Sequence, residues 1–138
     1  MLTQLKALHA ELRRAIAELA AETAKAEPDE VTLPAARLKL TRASSRRKSF
    51  IECSISPLLH DLPPDDARRV ADLRRVAADM AVESSTHIGR WTMRAIIADW
   101  EGYRASSAAM RSQMQRRISE EAAILYPLLE AKATPQAA

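Results

Sequence analysis

Two proline-bearing breaks, "EPDEVTLP" (27–34) and "HDLPPDD" (60–66), divide stretches of unbroken three-four apolar repeat. A proline inside a helix removes a hydrogen bond and crowds the preceding turn, so the breaks set the lengths of the helices between them. Leu5, Leu8, Leu12, Ile16 and Leu19 share one face of a first helix. It is predicted to run from Thr3, as N-cap, to about Ala26. A second helix is predicted from Pro34 or Ala35 to His60. A third, from Asp65 or Asp66 to about Ile97, carries Val70, Leu73, Ala77, Met80, Ser84, His87 and Trp91 on its seam. "ADWEGYR" (98–104) holds Gly102, which places a turn between Asp99 and Tyr103. The fourth helix then reaches about Lys132, with Tyr103, Ser107, Met110, Met114, Arg117, Glu121, Ile124 and Leu128 on its seam.

Four long helices joined by short loops predict an all-α fold, an antiparallel up-down-up-down four-helix bundle. Residues 1–132 form one domain in this reading, and 133–138 a flexible tail. Composition agrees. The chain has 138 residues, only two glycines and 4% aromatic residues, so the core is aliphatic and its helices approach closely.

The net charge of +3 is a small excess spread over several faces. Its longest basic cluster, Arg46-Arg47-Lys48, is short for a nucleic-acid footprint, so neither nucleic acid nor a membrane is expected as a partner. No apolar run nears the roughly 20 residues of a membrane span, and residues 1–10 lack a signal-peptide apolar region. The single cysteine, Cys53, cannot form an internal disulfide. It reads as a small packed core residue, with a redox-active thiol as the alternative, in a reducing, cytoplasmic compartment.

Polar residues stand on the apolar seams. His9 shares a face with Leu5, Leu12 and Ile16. Arg47 lies with Leu40, Ala43 and Ser54. His87 falls between Ser84 and Trp91, and Arg117 and Glu121 follow one another on the fourth helix. A core histidine is ordinarily a satisfied hydrogen-bonder, and a long arginine can snorkel from a seam edge. Such groups on all four helices nevertheless predict a polar centre. His60, beside the proline-rich loop, reads as a residue favouring a helix C-terminus.

"FIECSISPLLHD" (50–61) and "EEAAILYPLLEA" (120–131) align on Pro57-Leu58-Leu59 and Pro127-Leu128-Leu129. Each proline is preceded ten residues earlier by an arginine, Arg47 or Arg117. With "LKALHAELR", "ESSTHIGRW" and "RRISEEAAILYPLLE", nearly the whole chain resembles the hemerythrin-like, or HHE, proteins, which are four-helix bundles around a pair of non-heme irons. The resemblance implies that His9, His87 and Glu121 occupy metal-ligand positions. It also implies that Arg47, Ile51 and Arg117 replace ligands on the second and fourth helices. Glu52 is rotated about 100° from the face that Ile51 occupies.

Arginine stays protonated and has no lone pair to give a metal. The expectation is therefore a non-enzymatic, metal-poor regulatory or interaction module with no cofactor, acting with a protein partner, as monomer or homodimer. Arg47, Arg117 and Glu121 would form its buried ion-pair network. The alternative is a sensor or carrier of oxygen, nitric oxide or redox state. It would bind iron, mononuclear or sub-stoichiometric, or another metal, through His9, His87 and Glu121, with Glu83 orienting His87. A third reading is a histidine phosphotransfer module using His87. No Ser-His-Asp, Cys-His, phosphate-loop or CxxC pattern supports hydrolase or nucleotide chemistry.

Overall fold

The computed structural model describes residues 1–133 and is all-helical, with no strand among the described residues. The tail expected at 133–138 lies outside the described residues except for Ala133, which is still helical. Five helices follow one another: α1 (Leu2–Thr23), α2 (Thr32–Phe50), α3 (Pro64–Arg90), α4 (Met93–Ala98) and α5 (Trp100–Ala133).

Helix α1 begins one residue before Thr3, which caps nothing; Met1 is the N-cap residue and makes no side-chain cap bond. Helix α2 starts at Thr32, ahead of the expected Pro34, because Asp29 Oδ1 accepts from the Val31 and Thr32 amides at 2.9 Å each. Pro34 then falls in a first turn, where a missing N–H costs little.

The far end of α2 does not run on regularly to His60. It widens into a π-helical turn at Ile51–Ile55 and tightens into a 3-10 turn at Ser56–Leu58. Pro57 explains both. Its ring crowds the carbonyl four residues earlier, and the chain answers with a longer-range bond from Ser56 N–H to Ile51 O. The matching Pro127 sits inside α5, which continues to Ala133. The two Pro-Leu-Leu endings therefore have different backbones.

Helix α3 starts at Pro64, with Asp65 and Asp66 in its first turn. It stops at Arg90, short of the expected Ile97. Trp91 is buried, and Thr92 caps a separate six-residue helix by accepting from the Ala95 amide at 3.2 Å. The expected turn over 99–103 shrinks to the single residue Asp99. Its carboxylate accepts from the Gly102 amide at 2.9 Å, so Gly102 lies within the first turn of α5. A Cβ on Gly102 would come 2.1 Å from Asp99 Oδ2; glycine leaves room for this cap.

Antiparallel pairing follows from the side-chain bonds. Glu18 meets Lys39 and Glu11 meets Arg46, so α2 descends beside α1. Trp100 Nε1 donates to Lys25 O at 3.1 Å while His9 reaches Glu121, so α5 also runs against α1. Arg117 donates to Leu73 O and Trp91 Nε1 to Ser106 Oγ, so α3 runs against α5.

The core has three parts. One end packs Leu5, Ile55, Val70, Leu73, Leu125 and Leu129. The other packs Leu19, Leu33, Ala36, Trp91, Ile96 and Tyr103. The middle packs Leu12, Ala15, Ile16, Ala43 and Ile118, all from α1, α2 and α5. Helix α3 contributes no residue to that middle cluster: between Leu73 and Trp91 its seam residues Ala77, Met80, Ser84 and His87 are only half-buried.

Candidate functional site

The polar centre is assembled around Glu121, whose side chain is 4% exposed. His9 is fully buried, placed by the α1 face that also buries Leu5 and Leu12. Its Nε2 lies 2.9 Å from Glu121 Oε1 and its Nδ1 lies 2.6 Å from Tyr126 Oη. A carboxylate only accepts, so Nε2 carries the hydrogen; in the neutral tautomer Nδ1 then accepts from the tyrosine hydroxyl. Arg47, reaching from α2, donates its Nη1 to Glu121 Oε2. Burial opposes ionisation of Glu121. The His9 hydrogen bond and the charge and bond of Arg47 outweigh it and hold the carboxyl below its usual value.

Arg117 lies one turn before Glu121 on α5 and is buried. Its Nη2 donates to the Leu73 carbonyl, which ties α5 to α3. Its Nε is 3.9 Å from Glu121 Oε2 and its Nη1 3.8 Å from Glu120 Oε2. Those separations give Coulomb attraction without a hydrogen bond, and both nitrogens are buried with no hydrogen-bond partner in the protein. Burial, first, and the charge of Arg47 push the guanidinium below its usual value, against the pull of Glu121 and Glu120.

His87 is elsewhere. Its Nδ1 is 3.1 Å from Ser106 Oγ, which also accepts from Trp91 Nε1 at 3.2 Å. Ser106 precedes Glu121 by 15 residues of α5, about 22 Å along the axis at 1.5 Å per residue. The chain of indole, hydroxyl and imidazole suits a neutral His87. Burial, then the charges of Arg37 and Arg90, lower its pKa. The register of α3 is the physical reason for the separation: it sets Leu73 opposite Arg117 and His87 opposite the start of α5.

The candidate metal set of His9, His87 and Glu121 is thus divided between two places, and Glu83, the candidate for orienting His87, is exposed. Among the described residues no group of three or more histidine, cysteine, aspartate or glutamate side chains could hold a metal ion. Around Glu121 the donors are one imidazole and one carboxylate, and two guanidinium groups face that carboxylate. This set does not fit a pair of irons, which needs several such donors and bridging carboxylates.

Ile51 is half-buried against the Leu5 cluster. Cys53, expected in the core, is exposed, because the widened turn buries Ile55 and leaves position 53 outside. His60 Nδ1 is 2.8 Å from the Pro57 carbonyl. Two participants escaped the sequence reading. Tyr126, next to Pro127, was legible only as part of the ending. The Leu73 carbonyl has no side-chain signal at all.

A second feature lies under the middle of α3. A cavity of ≈ 280 Å³ opens between α2, α3 and α5, lined by Leu40, Met80, Met110, Met114, Arg117 and others. Beyond Arg47 and Arg117 a second space of ≈ 370 Å³ is lined by Ile51, Val70, Leu73 and Leu125. No helix of the described residues is long and apolar enough to cross a membrane. Comparison of the chain with known protein families, with curated proteins and with solved structures found no match.

Proposed function

We propose that this chain is a metal-free counterpart of the hemerythrin-like proteins, an up-down-up-down four-helix bundle serving as a non-enzymatic regulatory or interaction module. The observation that carries the reading is the occupation of Glu121: one oxygen faces the His9 imidazole and the other accepts from Arg47. In this reading guanidinium groups supply the positive charge a metal would bring, and the centre is structural. The antiparallel pairing of α1 with α2 and of α3 with α5 supports the bundle, with α4 as an insertion in the third connection. The exposed lone thiol of Cys53 fits a reducing, cytoplasmic compartment.

Metal analysis of protein purified without chelator or affinity tag, and again after aerobic iron reconstitution, tests the reading. Far less than one iron per chain and no charge-transfer band are expected. Two irons per chain would refute it. The triple variant Arg47→His, Arg117→His, Ile51→Glu rebuilds the family's ligand positions and should take up more iron than the parent; equal uptake would show that the arginines are not what excludes the metal.

A further inference from the structure

The cavity beneath α3 shares Arg47 and Arg117 with the Glu121 centre and extends from them along α5. Arg37, Arg47, Lys48, Arg111 and Arg117 line it, and no aspartate or glutamate does. At one end stands Arg117, with Nε and Nη1 buried and without a hydrogen bond. At the other stand Tyr103 and Ser107, 0% and 1% exposed. Burial raises the Tyr103 pKa, and Ser107, one turn on, is near enough to its phenol to oppose that. Yet neither hydroxyl has a hydrogen-bond partner of normal geometry in the protein. A buried donor left unpaired is costly, and several in one cavity point to a group that satisfies them.

Shape narrows that group. Ser107 and Arg117 are ten residues apart on α5, about 15 Å at 1.5 Å per residue. The space of ≈ 280 Å³ follows that length, which an extended chain of about twelve carbon atoms would span. The wall between the ends includes Leu40, Met80, Met110 and Met114, beside Ser44 and Ser84. Methionine adapts to a flexible apolar guest.

We infer that α2, α3 and α5 border a half-open binding channel for an elongated aliphatic carboxylic acid with an oxygenated far end. Its carboxylate sits on Arg117, its chain along the methionines, and its far oxygen on Tyr103 and Ser107. The inference deepens the reading of the protein as a non-enzymatic binding module, on which it rests.

Titration calorimetry of the full chain with 12-hydroxydodecanoate tests it, beside dodecanoate and dodecyltrimethylammonium. Saturable one-to-one binding is expected for the hydroxy acid, about fivefold weaker for dodecanoate, which lacks one hydrogen-bonding end. No binding is expected for the cation. Tyr103→Phe should abolish the preference for the hydroxy acid over dodecanoate. Arg117→Met should weaken both acids at least about tenfold. Since Arg117 also holds Leu73, Met110→Trp provides a second route, filling the channel and eliminating binding while the far-ultraviolet dichroism stays that of the parent. Absence of heat with either acid at about 1 mM, equal binding of the cation, or an unchanged preference in Tyr103→Phe would overturn the assignment. Iron assayed on the same preparation separates the two ideas. A chain with two irons that still binds the acid refutes the module reading alone. A metal-free chain indifferent to the acid refutes the channel alone.

Discussion

Arg47 and Glu121, 74 residues apart in sequence, form an ion pair between α2 and α5 in which the carboxylate is almost fully buried and the arginine side chain only 12% exposed. A pair so placed is a matching device more than a source of net stability. Two charges taken from water lose hydration of the same order as their attraction, and removing one member leaves the other stranded.

Arg47→Met should therefore destabilise the protein by about 3 kcal/mol, read as a lower urea midpoint at unchanged slope. Arg47→Met combined with Glu121→Leu should recover most of that loss. A double variant as unstable as the sum of the singles would mean that the pair is not coupled.

Tyr126→Phe removes the hydroxyl 2.6 Å from His9 Nδ1 and nothing else. The expected cost is about 1 kcal/mol in urea unfolding. The imidazole resonances of His9 should shift while those of His87, which touches Ser106 instead, stay in place.

Acid should weaken the fold in two stages. His87 has a folded pKa below its ordinary 6.5, because burial and then Arg37 and Arg90 disfavour its cation. The unfolded chain protonates there first, so stability declines as pH drops below about 6.5. Glu121 has a folded pKa below its ordinary 4.5: burial raises it, His9 and Arg47 outweigh burial, and Arg117 and Tyr126 are nearby. Its contribution is full above 4.5 and is lost as pH falls through the folded value. Urea midpoints measured from neutral pH to about pH 3 should show both declines, and His87→Gln should erase the upper one alone.

Asp99→Ala should cost about 1 kcal/mol by uncapping α5. Gly102→Ala should cost something despite the better helix propensity of alanine, since the added Cβ drives the Asp99 carboxylate off the amide it caps. If Gly102→Ala stabilises, the cap contributes less than the propensity gain.

Amide hydrogen exchange should divide α3. Its ends are anchored by Val70 and Leu73 and by Trp91, while its middle adds nothing to the central core cluster. Amides near Met80 and Ser84 should exchange faster than those of α1 near Leu12 by at least about tenfold.

The helical character and the inward positions of His9, Arg47, Arg117 and Glu121 were legible because three-four spacing reports a helix face directly. Spacing says nothing about how far one helix slides along another. That is why His87, correctly placed toward the interior of α3, was grouped with residues about 22 Å away along α5. The slip at Ser54 has a different origin. The wide turn before Pro57 adds one residue, so Ile55 takes the buried place that regular spacing assigns to position 54. The Thr92 cap was readable, since a threonine before a short apolar run is a start signal. The continuous seam through Trp91 hid it.

Trp91 and Trp100 both press on Tyr103, one edge-on with ring centres 5.6 Å apart and the other stacked at 5.9 Å. Three of the chain's five aromatic side chains of this kind are thus locked together where α3, α4 and α5 meet. Rings fixed in an asymmetric array dominate near-ultraviolet circular dichroism, so that spectrum is a local instrument for one end of the molecule. Heated slowly, the protein can lose it while the far-ultraviolet signal persists, and the interval between the two transitions measures how independently that aromatic corner comes apart.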